Sequence, residues 1–553
     1  MKTKKKKRQL QNNSNESDMN RREFISNSAA GCCGAVIGGN IIENAFSAGI
    51  ITGDTSSSDL GNFLNMTQDD FRKLADTAIF TAGKNGAGYS DLRICRNRNQ
   101  SVSAREDRVQ NISDNSSLGF GVRVLVNGTW GFASSHLLNE DSIAKMSILA
   151  CEMAKANSIL QKTPVELVHT PSYTDSWSTP VKINPYSIPI SEKIERLLEF
   201  NNIATKQGAN FCDSFMWFIN EWKLFASSEG SFIEQDLYRA WVQANPTVID
   251  KATGDFGSRK TLNAPMSKGF EYVDEYPFEE DIRTAVDNAK MKLSAPSVTE
   301  SKRDLILHPS NLWLTIHESC GHPTELDRAL GYEANYAGTS FMTTDKLGKL
   351  QYGSELINMV ADRTQEFGLA TRGYDDDGVK TTEWSIIKDG VFVDYQTTRD
   401  LAPLIGNDKS YACAYADNWN KFPIQRMPNI SLQPGRTKKS IDDLISETED
   451  AILILGDGSW SIDMQRYNFQ FTGQEFWEIK NGKKTGMLKD VAYQGNTIDF
   501  WNSCDALCSE EEYFLGGSLF CGKGEPGQIS PVSHGSVPAR FRQVNILNTK
   551  SQI

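Results

Sequence analysis

Six histidines occur in 553 residues, at positions 136, 169, 308, 317, 322 and 534, and two of them frame the hexapeptide His317-Glu318-Ser319-Cys320-Gly321-His322. Two imidazoles at this separation, with a carboxylate beside the first, ask for a metal. Imidazole nitrogens are zinc ligands, and a neighbouring glutamate is placed to take a proton from water activated by the ion. A catalytic zinc commonly takes three protein ligands and keeps a further position open, so another donor must come from elsewhere in the chain. Cys521 is the best candidate, because it opens the run Cys521-Gly522-Lys523-Gly524-Glu525-Pro526-Gly527-Gln528, whose glycines let backbone approach an ion closely. Lys523 would help to hold the thiolate form. His308 and His534 are rival ligands, and Glu325 is either a ligand or an acceptor that orients an imidazole.

The spacing constrains the element that carries the pair. On an undistorted α-helix, residues i and i+5 point about 140° apart, too far to share one ion. A helix starting near Pro309 is therefore expected to end or bend at the motif. Gly321 loosens the backbone there, and Pro323 pushes His322 toward an extended conformation. His317 and Glu318 then sit on the last turns, with His322 swinging back from the exit.

The surrounding elements read as an α+β protein of two domains. Residues 49–65, rich in Gly, Ser, Thr and Asp, read as a linker. In the N-terminal domain, 66–295, a capping pattern from Thr67 to Asp70 starts a helix with Phe71, Leu74, Ala75, Ala78 and Ile79 on one face. Short runs at 91–95, 100–105 and 119–126 follow, and Asn127-Gly128 signals a hairpin into 129–133. Helices are expected over 141–156, 191–207 and 278–293, and strands over 211–225 and 231–244. The whole is a set of antiparallel hairpins flanked by helices. The C-terminal domain, 296–553, opens with a strand at 304–307 and the metal helix. A polar segment at 331–353 follows, then hairpins turning at Asp389-Gly390 and Asn481-Gly482. It is expected to form a large, mostly antiparallel β-sheet or partial barrel.

Composition narrows the function classes. Hydrophobic residues at 39% and charged residues at 23% describe a globular protein, and a net charge of -12 argues against nucleic-acid binding. Residues 1–48 carry a basic cluster, then Asn20-Arg21-Arg22-Glu23-Phe24-Ile25, a short weakly apolar stretch and Ala45-Phe46-Ser47-Ala48, which together look like a twin-arginine export signal. The expected location is periplasmic or exported. No later stretch approaches a transmembrane helix. Eight cysteines beyond the signal are scattered rather than arrayed as a disulfide framework, and a Cys504–Cys508 bridge fits an oxidising compartment.

The chain resembles the TldD/PmbA family of zinc metallopeptidases. The resemblance rests on Gly121-Val122-Arg123-Val124, on Asn127 through Ala133, on His317-Glu318 through His322 and Glu325, on Tyr374-Asp375-Asp376-Asp377-Gly378, on Arg426-Met427-Pro428-Asn429 and on Cys521-Gly522-Lys523-Gly524. The retained H-E-x-x-x-H places it with the catalytic, TldD-like branch. The resemblance implies a zinc ion held by His317, His322 and Cys521, with Glu318 as general base in peptide-bond hydrolysis. It also implies extended or unfolded peptides as substrate, and a homodimer or a heterodimer with a PmbA-type subunit. The alternative is a non-catalytic peptide-binding subunit or scaffold of such a complex. Two departures bear on substrate contacts: Tyr411 through Ala416 stand where relatives tend to carry an arginine, and Pro526 stiffens the cysteine loop.

Overall fold

The computed structural model describes residues 57–524 and 527–550. The export-signal reading of residues 1–48 and the stiffening read from Pro526 lie outside them.

The N-terminal half is organised on two long hairpins. Helices α1 (Ser57–Leu64) and α2 (Gln68–Lys84) precede β1 (Tyr89–Arg105), β2 (Arg108–Val126) and β3 (Thr129–Ser135). Then come α3 (Glu140–Ser158), β4 (Thr174–Ser178), α4 (Ile190–Gln207) and the second hairpin, β5 (Phe211–Ser227) with β6 (Phe232–Ile249). The half closes with β7 (Phe256–Ser258), α5 (Glu271–Glu275) and α6 (Phe278–Ser294). The sheet order is β3-β2-β1-β5-β6-β4, antiparallel except for β4 on β6, with β7 at the other end of β6.

Local chemistry explains the joints. Thr67 and Asp70 form a reciprocal capping box at the start of α2. Asn127 and Gly128 both take left-handed angles, φ 52° and 70°, as a two-residue turn matched to strand twist requires. Two expectations are corrected. The runs at 91–95 and 100–105 are one continuous strand, because the polar residues between them pair with β2 on one side and β5 on the other. The linker reading also runs too far, since 57–64 form α1, whose Phe63 is buried with its ring 5.0 Å from that of Trp222.

The C-terminal half begins with β8 (Ser301–Leu307), α7 (Pro309–Ile316) and α8 (Leu326–Ala329). Short strands follow: β9 (Met359–Asp362), β10 (Glu383–Lys388), β11 (Val391–Phe392), β12 (Ala414–Tyr415), β13 (Ile424–Gln425) and β14 (Asn429–Leu432). After α9 (Ile441–Ser446) the chain runs through β15 (Asp450–Ile462), β16 (Asn468–Lys480), β17 (Lys483–Met487), β18 (Val491–Asn496), α10 (Thr497–Asn502) and β19 (Cys504–Leu507). It ends in β20 (Phe514–Lys523), β21 (Gln528–Ser536) and β22 (Ala539–Asn548).

The sheet here closes. Its order β15-β8-β22-β18-β16 returns to β15 through the β15–β16 pairing, giving a five-stranded barrel with β8 and β15 parallel and the other pairs antiparallel. Leu305, Leu307, Ile452, Ile454, Tyr493 and Phe541 on these strands belong to the hydrophobic core of this half.

The halves meet across buried ion pairs. Arg123 lies 2.7 Å from both Asp91 and Asp377, Lys223 bridges Glu221 and Asp376 at 2.7 and 2.9 Å, and Arg239 reaches Glu221 at 2.8 Å. Asp376 and Asp377 belong to the acidic run noted in the sequence, whose work is therefore to join the halves.

Candidate metal centre

α7 follows β8 with a single residue between them. That residue, His308, caps the helix: its Nδ1 accepts the Ser310 N–H at 3.1 Å, with Pro309 in the first helical position. His308 is thus a cap and not a ligand.

At the motif the helix widens instead of ending. His317–Gly321 form a π-helical turn, closed by the His322 N–H donating to the His317 carbonyl, and His322–Thr324 continue as a 3₁₀ turn. The expectation of an extended His322 is corrected, since its backbone is helical at φ -64°, ψ -44°. The physical reason is the hydrogen-bond period. An i→i+5 turn brings residues five apart round to the same side, so the spacing that defeats an α-helix suits this turn. Pro323, which has no N–H to offer, enters as an early residue of the 3₁₀ turn. Gly321 serves close approach, because a Cβ there would lie 2.5 Å from Met427 Sδ.

One donor atom from each of His317, His322 and Cys521 lies within 4.8 Å of the other two, and all three residues are buried. Cys521, on β20, has its Sγ 3.7 Å from His322 Nε2. The edge of a zinc tetrahedron with one sulfur and one nitrogen ligand is about 3.6 Å, from Zn–S and Zn–N distances of about 2.3 and 2.05 Å.

The hydrogen bonds around the imidazoles settle which nitrogens are bare. His534 Nδ1 lies 2.9 Å from the Ile430 carbonyl, which only accepts, so that nitrogen carries the proton. Its Nε2 is then an acceptor, and it lies 2.8 Å from His317 Nδ1, which must donate. His322 Nδ1 donates to Glu325 Oε2 at 2.9 Å. Both imidazoles are left with an unprotonated Nε2, the form a metal takes. The residues present therefore fit a zinc ion.

The thiol of Cys521 and the imidazole of His322 also suit a thiolate–imidazolium pair. Burial pushes the Cys521 thiol up, but His322 outweighs it and the group is held below its ordinary value. Burial would likewise raise Glu318, and Arg466 overcomes it, keeping the carboxyl low. Burial holds His317 below the ordinary range, and burial with the neighbouring His317 holds His534 well below it.

Of the residues weighed as ligands from sequence, the structure brings His317, His322 and Cys521 together and gives the others supporting contacts. Glu325 orients His322, and His534 orients His317. Lys523 is corrected: its Nζ points to Glu325 at 3.1 Å and Asp327 at 2.7 Å instead of the thiolate. Cys504 and Cys508, whose pairing the sequence leaves open, are both buried free thiols. Sequence reading missed Arg426, whose Nη2 donates to the Cys521 carbonyl, and Arg466, whose Nη1 pairs with Glu318 Oε2. The signal for Arg426 stood in the Arg426-Met427-Pro428-Asn429 block; a turn residue such as Arg466 carries none. Tyr411 through Ala416 lie at the seam, where Tyr415 Oη donates to Glu221 at 3.2 Å.

The sequence matches the PmbA/TldA metallopeptidase C-terminal domain over residues 300–546 and domain 1 of the same family over residues 90–154. It is 28% identical over 453 residues to a metalloprotease of Methanocaldococcus jannaschii, covering 81% of this chain and 94% of the relative. It is 23% identical over 469 residues to a zinc metalloprotease TldD homolog of Saccharolobus solfataricus, covering 83% and 97%. The fold is similar to the crystal structure of TldE from Thermococcus kodakarensis, with a TM-score of 0.68 at 16% identity over 86% of this chain and 99% of that one.

Proposed function

We propose, on the premise that this chain belongs to the TldD/PmbA family and is a metalloprotease, that it is an exported zinc peptidase acting on extended or small peptides, with His317, His322 and Cys521 as ligands and Glu318 as general base. The observation that carries this reading is the convergence of two imidazole nitrogens and a buried thiol beside a buried glutamate. A bound zinc ion supplies a Lewis acid for the scissile carbonyl and lowers the pKa of its water to about 7. Glu318 takes the water proton on its carboxylate and returns it to the leaving nitrogen as the C–N bond breaks. Glu325 and His534 hold the imidazoles in the tautomer that binds metal. Arg426 fixes the backbone of β20 at Cys521.

Export rests on Arg21-Arg22 and the stretch after them, and cell fractionation of the Arg21→Lys/Arg22→Lys variant reads it. Among the described residues no helix is long and apolar enough to cross a membrane. A two-fold dimer, with itself or with a PmbA-type subunit, is the assembly proposed from the shared fold; light scattering with and without such a subunit decides it.

The central experiment measures bound zinc and cleavage of an unstructured peptide by wild type, Glu318→Ala and Cys521→Ala. Glu318→Ala is expected to keep zinc and lose activity, and Cys521→Ala to lose both. Activity retained in Glu318→Ala sinks the base assignment, and zinc retained in Cys521→Ala removes that ligand.

A further inference from the structure

Glu318 is held from the turn between β15 and β16. Arg466 lies in the turn between β15 and β16 with φ 65°, a left-handed conformation that a residue with a Cβ adopts at a cost. Three sets of contacts impose it. The Asp463 carboxylate accepts the N–H groups of Gln465, Tyr467 and Asn468 at 3.1, 2.8 and 2.9 Å and the Asn468 side-chain amide at 2.7 Å, gathering the turn on one anion. Thr497 Oγ1 donates to the Arg466 carbonyl at 2.9 Å. The third set comes from the segment after the metal motif: the Thr339 and Phe341 N–H groups donate to the carbonyls of Met464 and Gln465 at 2.9 and 3.0 Å.

The guanidinium that this turn presents binds Glu318 Oε2. Among the described residues no hydrogen bond reaches Oε1. Gly338 makes the close docking possible, having φ 94° and the Met464 carbonyl oxygen 2.3 Å from where a Cβ would stand.

We propose that Arg466 is the positioning residue for Glu318. It fixes Oε2 so that Oε1 alone is free to accept the proton, and the Gly338–Met464 contact sets where Arg466 stands. The inference rests on the general-base reading above. It adds that the base is aimed by a strained turn, and that this aim depends on a glycine which touches neither metal ligands nor base.

The test uses the full chain reconstituted with zinc, an unstructured peptide, and the variants Arg466→Ala, Arg466→Lys, Gly338→Ala and Glu318→Ala. Arg466→Ala is expected to lower kcat by about 10- to 100-fold, the range seen when a supporting partner of an active-site group is removed, with KM and bound zinc unchanged. Arg466→Lys should retain part of the lost rate. Millimolar guanidinium ion should restore part of kcat in Arg466→Ala and none in Glu318→Ala. Gly338→Ala should lower kcat with zinc unchanged. Wild-type kcat in Arg466→Ala overturns the proposal, as does a loss that tracks loss of zinc, or a loss rescued by neither lysine nor guanidinium. If the wild type cleaves no peptide, the function proposed above fails on its own, and a crystal structure of Arg466→Ala still decides the positioning. A Glu318 carboxylate spread over several rotamers supports it; one unmoved from the wild-type position overturns it.

Discussion

His534 donates its Nδ1 proton to a carbonyl that cannot give it back, and this fixes the state of His317 next to it. Removing that acceptor frees His317 to rotate or to change tautomer, so His534→Phe is expected to weaken zinc binding by about 10- to 100-fold. A competition titration with a chelator measures it, and the wild-type affinity in the variant would remove His534 from the site. At this scale the cluster of His317, His322 and Cys521 was legible in the sequence because histidine is rare here and the glycine run marks Cys521. Their supporting partners were not, since His534 reads equally well as a ligand until the Ile430 carbonyl is seen beside it. Lys523 misled for the same reason: a cation two residues from a thiol says nothing about which way its stem turns.

The π-turn is the element on which the centre depends, and its close packing is what Gly321 provides. In Gly321→Ala the new methyl meets the Met427 thioether 2.5 Å away. Overpacking of this kind costs about 1–3 kcal/mol, with the lower end expected because the end of a flexible side chain must yield. Shortening Met427 should relieve it. In denaturant unfolding, Gly321→Ala/Met427→Ala is expected to be more stable than the sum of the two single effects, and strict additivity would show that the methionine is not the constraint. Sequence showed that a straight α-helix fails here but not which irregularity replaces it, because the remedy lies in a hydrogen bond of longer period and not in any residue's propensity. Turns were more transparent: Asn127-Gly128, Asp389-Gly390 and Asn481-Gly482 all adopt left-handed angles, since few residues other than these tolerate them. The closure of β15 on β16 and the parallel step from β8 to β15 were not legible, as strand order leaves no local mark.

Across the whole molecule the halves are joined by buried charge. Burial pushes the Asp376 carboxyl up, but Lys223 and then Arg93 outweigh it and hold it below the ordinary range. A depressed carboxyl stabilises the fold above its unfolded pKa of about 3.9 and loses that contribution as pH falls toward the folded value. Asp376→Asn also leaves Lys223 without one of its two buried partners, and breaking a buried pair costs about 3–5 kcal/mol. Denaturant unfolding should show that deficit at pH 7 and a narrowing gap to wild type below about pH 4. A gap constant with pH would mean that Asp376 titrates alike in both states.

The barrel's last strand has a consequence for the order of events as the protein is made. β22 sits between β8 and β18, and β20 and β21, with Cys521 and His534, immediately precede it. A chain still in synthesis holds His317 and His322 long before it holds the thiolate, the orienting imidazole or the strand that closes the wall. Assembly of the three-donor cluster and closure of the barrel therefore both wait on the segment from Cys521 to Asn548. A chain that stops before Cys521 has neither.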